Sequence, residues 1–367
     1  MIPSLRAVVQ QLPKFKFNPH VHLELKYSQP LIACRFDPSG RYLFAASQDN
    51  TIQRFDLLSG GVTPLLGHSG WVRAFTFVGQ KVNPTPVLPF GYHAVAGGLE
   101  VGTEALRTAP PFKLVSVDTY GQMFWWDGNT TDPKPIRRID AHAGWVRAVA
   151  TSPDGQTIAS VGNDNLVKLW NAADGTAKST LSGHTSHVYN VAFHPTEKRL
   201  VSADLHGIIK DWDLTNGKSV RELDAKILHK YDSGFMVDIG GARGMAFDDR
   251  GETLACTGIT NVSNAFAGVG NPLVILFNWK HGKATQLKTK EAYQGTGWGV
   301  NLHNTGIVIA AGGGGDGRIW FWRPSDASNF QTLVVPTNIR DMAVHPSGKY
   351  LAIAGFNGSA TVYGLFS

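Results

Sequence analysis

The residues best suited to chemistry in this chain are a serine, a histidine and an aspartate close together in sequence: His142, Ser160 and Asp164. Acyl transfer needs those three types, a hydroxyl nucleophile, a base to take its proton and a carboxylate to orient the base. The pairing recurs, however, as His68 with Ser116 and as His184 with Ser202. A set that returns at the period of a repeat marks a device that holds each repeat together. No catalytic residue is therefore nominated. The stretch "GGGGDG" (312–317) satisfies G-x-G-x-x-G, but a dinucleotide site needs a helix after the glycines. The next residues, "RIWFW", read as a strand, so the glycines read as a turn carrying Asp316. His20 and His22 are spaced to chelate a metal from one face of a strand. The sequence offers no third ligand, and no metal site is assigned. With no H-E-x-x-H, paired C-x-x-C, G-x-S-x-G or phosphate-binding loop present, no cofactor is expected.

The elements that would position these residues are visible in a doubled phrase. "GHSGWVRAF" (67–75) returns as "AHAGWVRAV" (141–149), and each copy opens the same succession of runs. In the clearest unit, "WVRAVAT", "TIASVG" and "LVKLW" are separated by the turns "SPDGQ" and "NDN" and closed by "NAADG". Alternating runs punctuated by Gly, Asn, Asp and Pro read as antiparallel strands joined by hairpins. An aromatic closes each third strand: Phe55, Trp126, Trp170, Trp212, Phe277, Trp322 and Tyr363. Their intervals are 71, 44, 42, 65, 45 and 41 residues, so four of six fit a period of roughly 40–45 and two carry insertions. Seven units result.

With "GH" at 67–68 and 183–184, "AH" at 141–142 and "WD" at 126–127 and 212–213, the chain resembles the WD-repeat β-propeller family. The resemblance covers residues 20–367 and implies an all-β fold, a seven-bladed propeller of four-stranded antiparallel blades. The last unit ends without a fourth strand, and "HVHLELKY" (20–27) precedes the first inner strand. That segment is expected to complete the last blade and leave no sheet edge open, with 1–19 as an extension before it. The resemblance also gives the repeated triads a role as structural braces of His, Ser, Asp and Trp. The third unit supplies His142, Ser160, Asp164 and Trp170. The fourth has His184, Ser202 and Trp212 with His206 at the aspartate position, and the second has His68, Ser116 and Trp126 with Tyr120 there.

A further set of residues falls at one register of the inner strands. The seven units place Ile32, Arg73, Arg147, Tyr189, Arg243, Trp298 and Arg340 there; two positions earlier stand Trp71, Trp145 and His187, among others. Arginine forks suit carboxylate and phosphate, and aromatics give contact area at low entropic cost. The resemblance implies that the face carrying the fourth-to-first and second-to-third strand loops is the binding face. The expected function is a non-catalytic scaffold or adaptor that binds a protein or peptide, an acidic or phosphorylated segment in particular, through Trp71, Arg73, Trp145, Arg147, His187, Tyr189, Arg243, Trp298 and Arg340. Local pairing of the arginines with Asp118, Asp238 or Asp341 would remove that site. A catalytic propeller using His187, Arg147 and Arg243 on a small anion, and single-stranded nucleic-acid binding by the arginines and tryptophans, are the alternatives. Long loops at 224–240 and 259–271 in the fifth unit would enlarge the face, and an insertion at 79–112 would lie on the opposite one.

Composition sets the outer bounds. A 43% apolar content with 17% charge in 367 residues supports a large core. The net charge of +6 favours an anionic partner only weakly and makes nucleic acid the least favoured one. Cys34 and Cys256 each sit in an apolar run and read as buried small hydrophobes. No apolar run reaches about 18 residues, and the expectation is a soluble cytoplasmic protein, a monomeric propeller working within a larger assembly.

Overall fold

The computed structural model describes residues 16–79, 111–264 and 268–367. The body of the insertion at 79–112 and the first fifteen residues of the N-terminal extension lie outside the described residues. Seven four-stranded antiparallel sheets are arranged as a propeller, joined by one further two-stranded hairpin. Helix is confined, among the described residues, to one 3-10 turn at Lys226–Leu228. No described helix is long and apolar enough to cross a membrane.

Each blade follows the hairpin order read from the repeats. The third blade runs Val146–Thr151, Thr157–Gly162, Val167–Asn171 and Ala177–Leu181 from the inside outward. The seventh runs Ile339–Val344, Tyr350–Gly355 and Ser359–Phe366, and its outer strand is Phe17–Lys26. Pairing of Val21 with Tyr363 and Leu25 with Ala360 ties the two ends of the sheet ring together. The closing strand starts at Phe17, three residues earlier than "HVHLELKY" suggests. Phe17 stacks edge-on against Phe321 and Phe366, and this contact extends the strand.

Alternating side chains of neighbouring blades meet in seven hydrophobic cores, one at each blade junction. The aromatics that close the third strands are buried in them, Phe55 and Trp126 at 0% exposure. Because every sheet buries both faces, the second strands are buried along almost their whole length, near-continuously apolar in "YLFAAS" and "YLAIAG". Cys34 and Cys256 are buried in two of these cores, and burial raises both thiols, Cys256 to about 12.

A second repeated histidine links blade to blade. At the end of the inner strand, His194, His303 and His345 each turn Nε2 toward a glycine carbonyl of the following blade: Gly251 at 3.0 Å, Gly348 at 2.6 Å and Gly40 at 3.0 Å. Their Nδ1 atoms accept backbone N–H groups of their own turns, so Nε2 carries the proton. The acceptor glycines have φ near +70°, and a Cβ at Gly40 would stand 2.1 Å from His345. Only glycine allows that approach.

The two loops expected in the fifth blade are ordered as strands. Residues 259–264 and 269–271 prolong the hairpin Thr253–Asn264 and Val269–Asn278 beyond its neighbours. Ladder pairs Ile259 with Pro272 and Thr260 with Asn271 continue the hydrogen bonding, so the polar composition of this stretch marks an extended hairpin. Residues 224–240 fold as the 3-10 turn and the hairpin His229–Asp232 with Val237–Gly240.

Candidate functional site

The triads resolve into buried hydrogen-bond chains. In the third blade Trp170 Nε1 donates to Ser160 Oγ at 2.8 Å, the hydroxyl donates to His142 Nε2 at 2.8 Å, and Nδ1 donates to Asp164 at 2.7 Å. Desolvation works against the Asp164 charge, but the His142 bond and charge, the Leu166 N–H and the Lys168 charge together outweigh it and hold the carboxyl down to about 2. The fourth blade repeats the chain through Trp212, Ser202 and His184. The three serines are at 0% exposure, each holding the indole N–H on one side and the imidazole on the other. A substrate carbonyl has no approach to them.

The aspartates of the second and fourth blades differ from the sequence reading. His68 bonds Asp118 at 2.8 Å and His184 bonds Asp204 at 2.9 Å. Tyr120 is 66% exposed and His206 faces Asp238 instead. The carboxylate moves back from the turn into the end of the second strand, where Asp118 and Asp204 oppose Val72 and Val188. From there the second oxygen caps the turn, Asp118 accepting from the N–H groups of Tyr120 and Gln122. The signal was present as Ser-x-Asp at 116–118 and 202–204, and again at 47–49, where Asp49 accepts from Tyr27 in the histidine's place.

The arginine register is built differently. In six blades the pairing of inner and second strands skips one residue, between Leu31 and Ala33, Val72 and Ala74, Val146 and Ala148, Val188 and Asn190, Gly297 and Gly299, and Ile339 and Asp341. The skipped residues are Ile32, Arg73, Arg147, Tyr189, Trp298 and Arg340. A bulge frees its residue from the ladder and re-aims the side chain. Above five of the six bulges the turn joining second and third strands is pinned to the inner strand: Gln48 N–H to Pro30 O, Thr119 to Trp71, Asn163 to Trp145, Leu205 to His187 and Phe356 to Asn338.

The freed side chains form a belt in which cations and rings alternate. Arg73 lies 5.9 Å from the Trp145 ring centre, and Arg147 lies 4.5 Å from Trp145 and 4.4 Å from Tyr189. Arg243 stands 4.3 Å from Tyr189 and 5.5 Å from Trp298, and Arg340 is 4.6 Å from Trp298 and 5.1 Å from Phe356. The first blade contributes only Ile32, which is buried, so the belt is open on that side. Trp71 stands on the rim, 42% exposed. His187 flanks Arg147; desolvation, then that guanidinium, lower its imidazole.

The acidic residues Asp118, Asp238 and Asp341 are all engaged away from these arginines. Asp118 holds His68, Asp238 faces His206 and His229, and Asp341 holds Arg35 at 2.5 Å. Among the described residues none of the four arginines makes an ion pair with a carboxylate; Arg147 Nε donates to Asn163 Oδ1 at 2.7 Å. Arg73 Nε, Arg243 Nε and Trp298 Nε1 are buried donors without an acceptor among the described residues. Desolvation, then the charges of Arg147, Arg243 and Arg340, push the Arg73 guanidinium down to about 10, still a cation at neutral pH. Phe356 and Asn163 were missed by the register reading because they sit in turns. The same alignment applied to the second-to-third strand turns places both at one position.

Comparison with known proteins bears on the fold more than on the site. A model of the WD domain, G-beta repeat, matches residues 17–56, 133–171 and 175–213. Each match begins on the outer strand of one blade and ends on the third strand of the next, the same offset that makes Phe17–Lys26 close the ring. The chain is 46% identical over 63 residues, 17% of its length, to ribosome assembly protein 4 of Chaetomium thermophilum. It is 27% identical over 146 residues, 39% of its length, to nuclear distribution protein PAC1-1 of Uncinocarpus reesii. It is 30% identical over 102 residues, 24% of its length, to pre-mRNA-splicing factor PRP46 of Yarrowia lipolytica. These alignments cover 12%, 30% and 23% of the three relatives.

Proposed function

Because the chain is a WD-repeat β-propeller, we propose that it is a non-catalytic scaffold that takes an acidic or phosphorylated segment of a partner protein into the arginine and aromatic belt. One observation carries the reading: four arginines share one register, three of them (Arg73, Arg147 and Arg340) aimed there by strand bulges and Arg243 standing just before its inner strand, all stacked on rings and, among the described residues, without a carboxylate. Stacking satisfies the guanidinium faces without using up their N–H edges, of which, among the described residues, only Arg147 Nε has a protein partner, and such edges bond phosphate and carboxylate in pairs. The mutual repulsion of the cations is a cost that an anionic ligand relieves. Two of the relatives are named for ribosome assembly and pre-mRNA splicing, which agrees with a protein that organises others.

The test begins with capture from native lysate by wild type beside the Arg147→Ala, Arg243→Ala double variant. Segments of the differentially retained proteins are then titrated as labelled peptides, phosphorylated and unphosphorylated, against both proteins. Tenfold or greater preference for acidic or phosphorylated peptides, lost in the double variant and weakened by salt, is the expected result. Failure of every such peptide to bind overturns the reading. Binding of unrelated oligonucleotides with a steep salt slope instead points to nucleic acid.

A further inference from the structure

The hairpin inserted before the fifth blade brings together three side chains that no sequence spacing connects. His229 and Asp238 lie on its two strands, in ladder pairs His229 with Gly240 and Tyr231 with Asp238, which places them diagonally on one face. His206 comes from the turn between the second and third strands of the fourth blade. Nε2 of His229 is 2.8 Å from Asp238 Oδ1, Nε2 of His206 is 3.5 Å from Asp238 Oδ2, and the two ring centres are 5.0 Å apart. The ligand atoms all fall within 4.8 Å of one another.

We propose that His206, His229 and Asp238 form a divalent metal site, with Zn²⁺ as the fitting ion. Two imidazoles and a carboxylate are borderline ligands that suit zinc. Tetrahedral bonds of about 2.0–2.1 Å put neighbouring ligand atoms about 3.3 Å apart; here Asp238 lies 2.8 and 3.5 Å from the two imidazoles and all ligand atoms fall within 4.8 Å, so small side-chain shifts would bring them to that spacing. A purely ionic account fits less well. One carboxylate is satisfied by one imidazolium, and a second at this ring separation adds repulsion, whereas a single divalent ion draws both neutral rings to the same point. All three side chains keep part of their surface open, 37% for His206, 21% for His229 and 34% for Asp238, so an ion can reach them. Three protein ligands leave a coordination position for water or for an oxygen of a bound partner.

The frame behind the ligands is rigid. Ala225 N–H donates to Gly207 O, next to His206, and fixes that turn to the start of the 3-10 turn. Leu228, fully buried, precedes His229, and its carbonyl accepts from Gly241 N–H beyond the far strand. Gly240, with φ of +119°, brings its backbone so close that a Cβ would lie 1.8 Å from Leu228 O. Lys230 Nζ donates to Val262 O at 2.7 Å and fastens the hairpin to the extended fifth blade. The ligands therefore hang from hydrogen-bonded backbone on both sides, which lowers the ordering cost of binding.

The experiment uses the full chain without a polyhistidine tag, stripped with a chelator and titrated with ZnCl₂ calorimetrically, with Co²⁺ absorption as a second readout. One equivalent of zinc at micromolar or tighter affinity, with the visible bands of tetrahedral Co²⁺, is expected. His206→Ala and His229→Ala should each weaken binding at least tenfold. Asp238→Asn, nearly isosteric and able to keep one hydrogen bond, should do the same with an unchanged circular dichroism spectrum. His20→Ala should leave binding intact. Absence of stoichiometric binding to wild type, or binding unchanged in Asp238→Asn, overturns the proposal.

Discussion

The braces and the belt are made from overlapping residue types, charged groups, hydrogen-bond donors and large aromatics, yet they end in opposite states. In the brace every polar atom is answered: indole to hydroxyl, hydroxyl to imidazole, imidazole to carboxylate, and the second carboxylate oxygen to backbone. In the belt the guanidiniums are stacked but unanswered by charge, and buried donors on Arg73, Arg243 and Trp298 lack acceptors among the described residues. A satisfied buried network specifies and rigidifies a fold, while an unsatisfied one awaits a partner. The repeated, saturated constellation is structural even though it has the composition of a hydrolase, and the unsaturated one is the place for binding.

The largest effect expected from breaking this contrast is on the brace side. Asp118→Ala leaves the buried His68 and two backbone N–H groups without their acceptor and should cost about 3–4 kcal/mol in denaturant unfolding. Tyr120→Phe, at the position the repeat alignment assigns to the carboxylate, should change stability by less than about 0.5 kcal/mol. Equal effects would mean that the two-residue shift of the carboxylate is wrong.

Acid should act on the histidines that link blade to blade. Burial pushes His345 down to about 4, against about 6.5 in an unfolded chain. The unfolded state then binds the proton first as pH falls. The stabilisation is therefore complete above about 6.5 and is lost progressively between about 6.5 and 4, by about 3 kcal/mol. His345→Gln, which keeps a donor and an acceptor without the titration, should flatten that part of a stability profile. Burial also lowers His303, so a residual slope should persist in the variant.

A small effect belongs to the belt. Arg147→Ala with Arg243→Ala removes two of four mutually repelling cations while losing their stacking on Tyr189. Stability should stay within about 1 kcal/mol of wild type, although the same variant is expected to lose its acidic ligand. A loss as large as that of Asp118→Ala would make the belt a structural element and remove the contrast.

How much of this was legible in the residues varies by element. Seven units, their strand order and the closing N-terminal strand follow from turn chemistry and from a periodicity that survives divergence, because each hairpin is specified locally. The arginine register was also legible, since one strand position repeated across blades needs only alignment. Whether those arginines were paired was not, because Asp341 could have faced Arg340 and instead holds Arg35. Asp118 and Asp204 were misplaced because two turns of different length bring the carboxylate to the same imidazole. The extended hairpin of the fifth blade read as loop because its hydrogen bonds, not its side chains, make it strand.

By itself the sequence determined a repeating β-architecture, its seven units and the residues that would gather at one register, all properties of local pattern summed along the chain. Only the tertiary structure decided which of those residues are satisfied and which are left open. It also brought His206 beside His229 and Asp238 from a turn and an inserted hairpin of neighbouring blades. The physical reason is the same in both cases. Hydrogen bonding and charge are settled between atoms that pack together, and in a closed ring the partners come from adjoining blades and opposite chain ends.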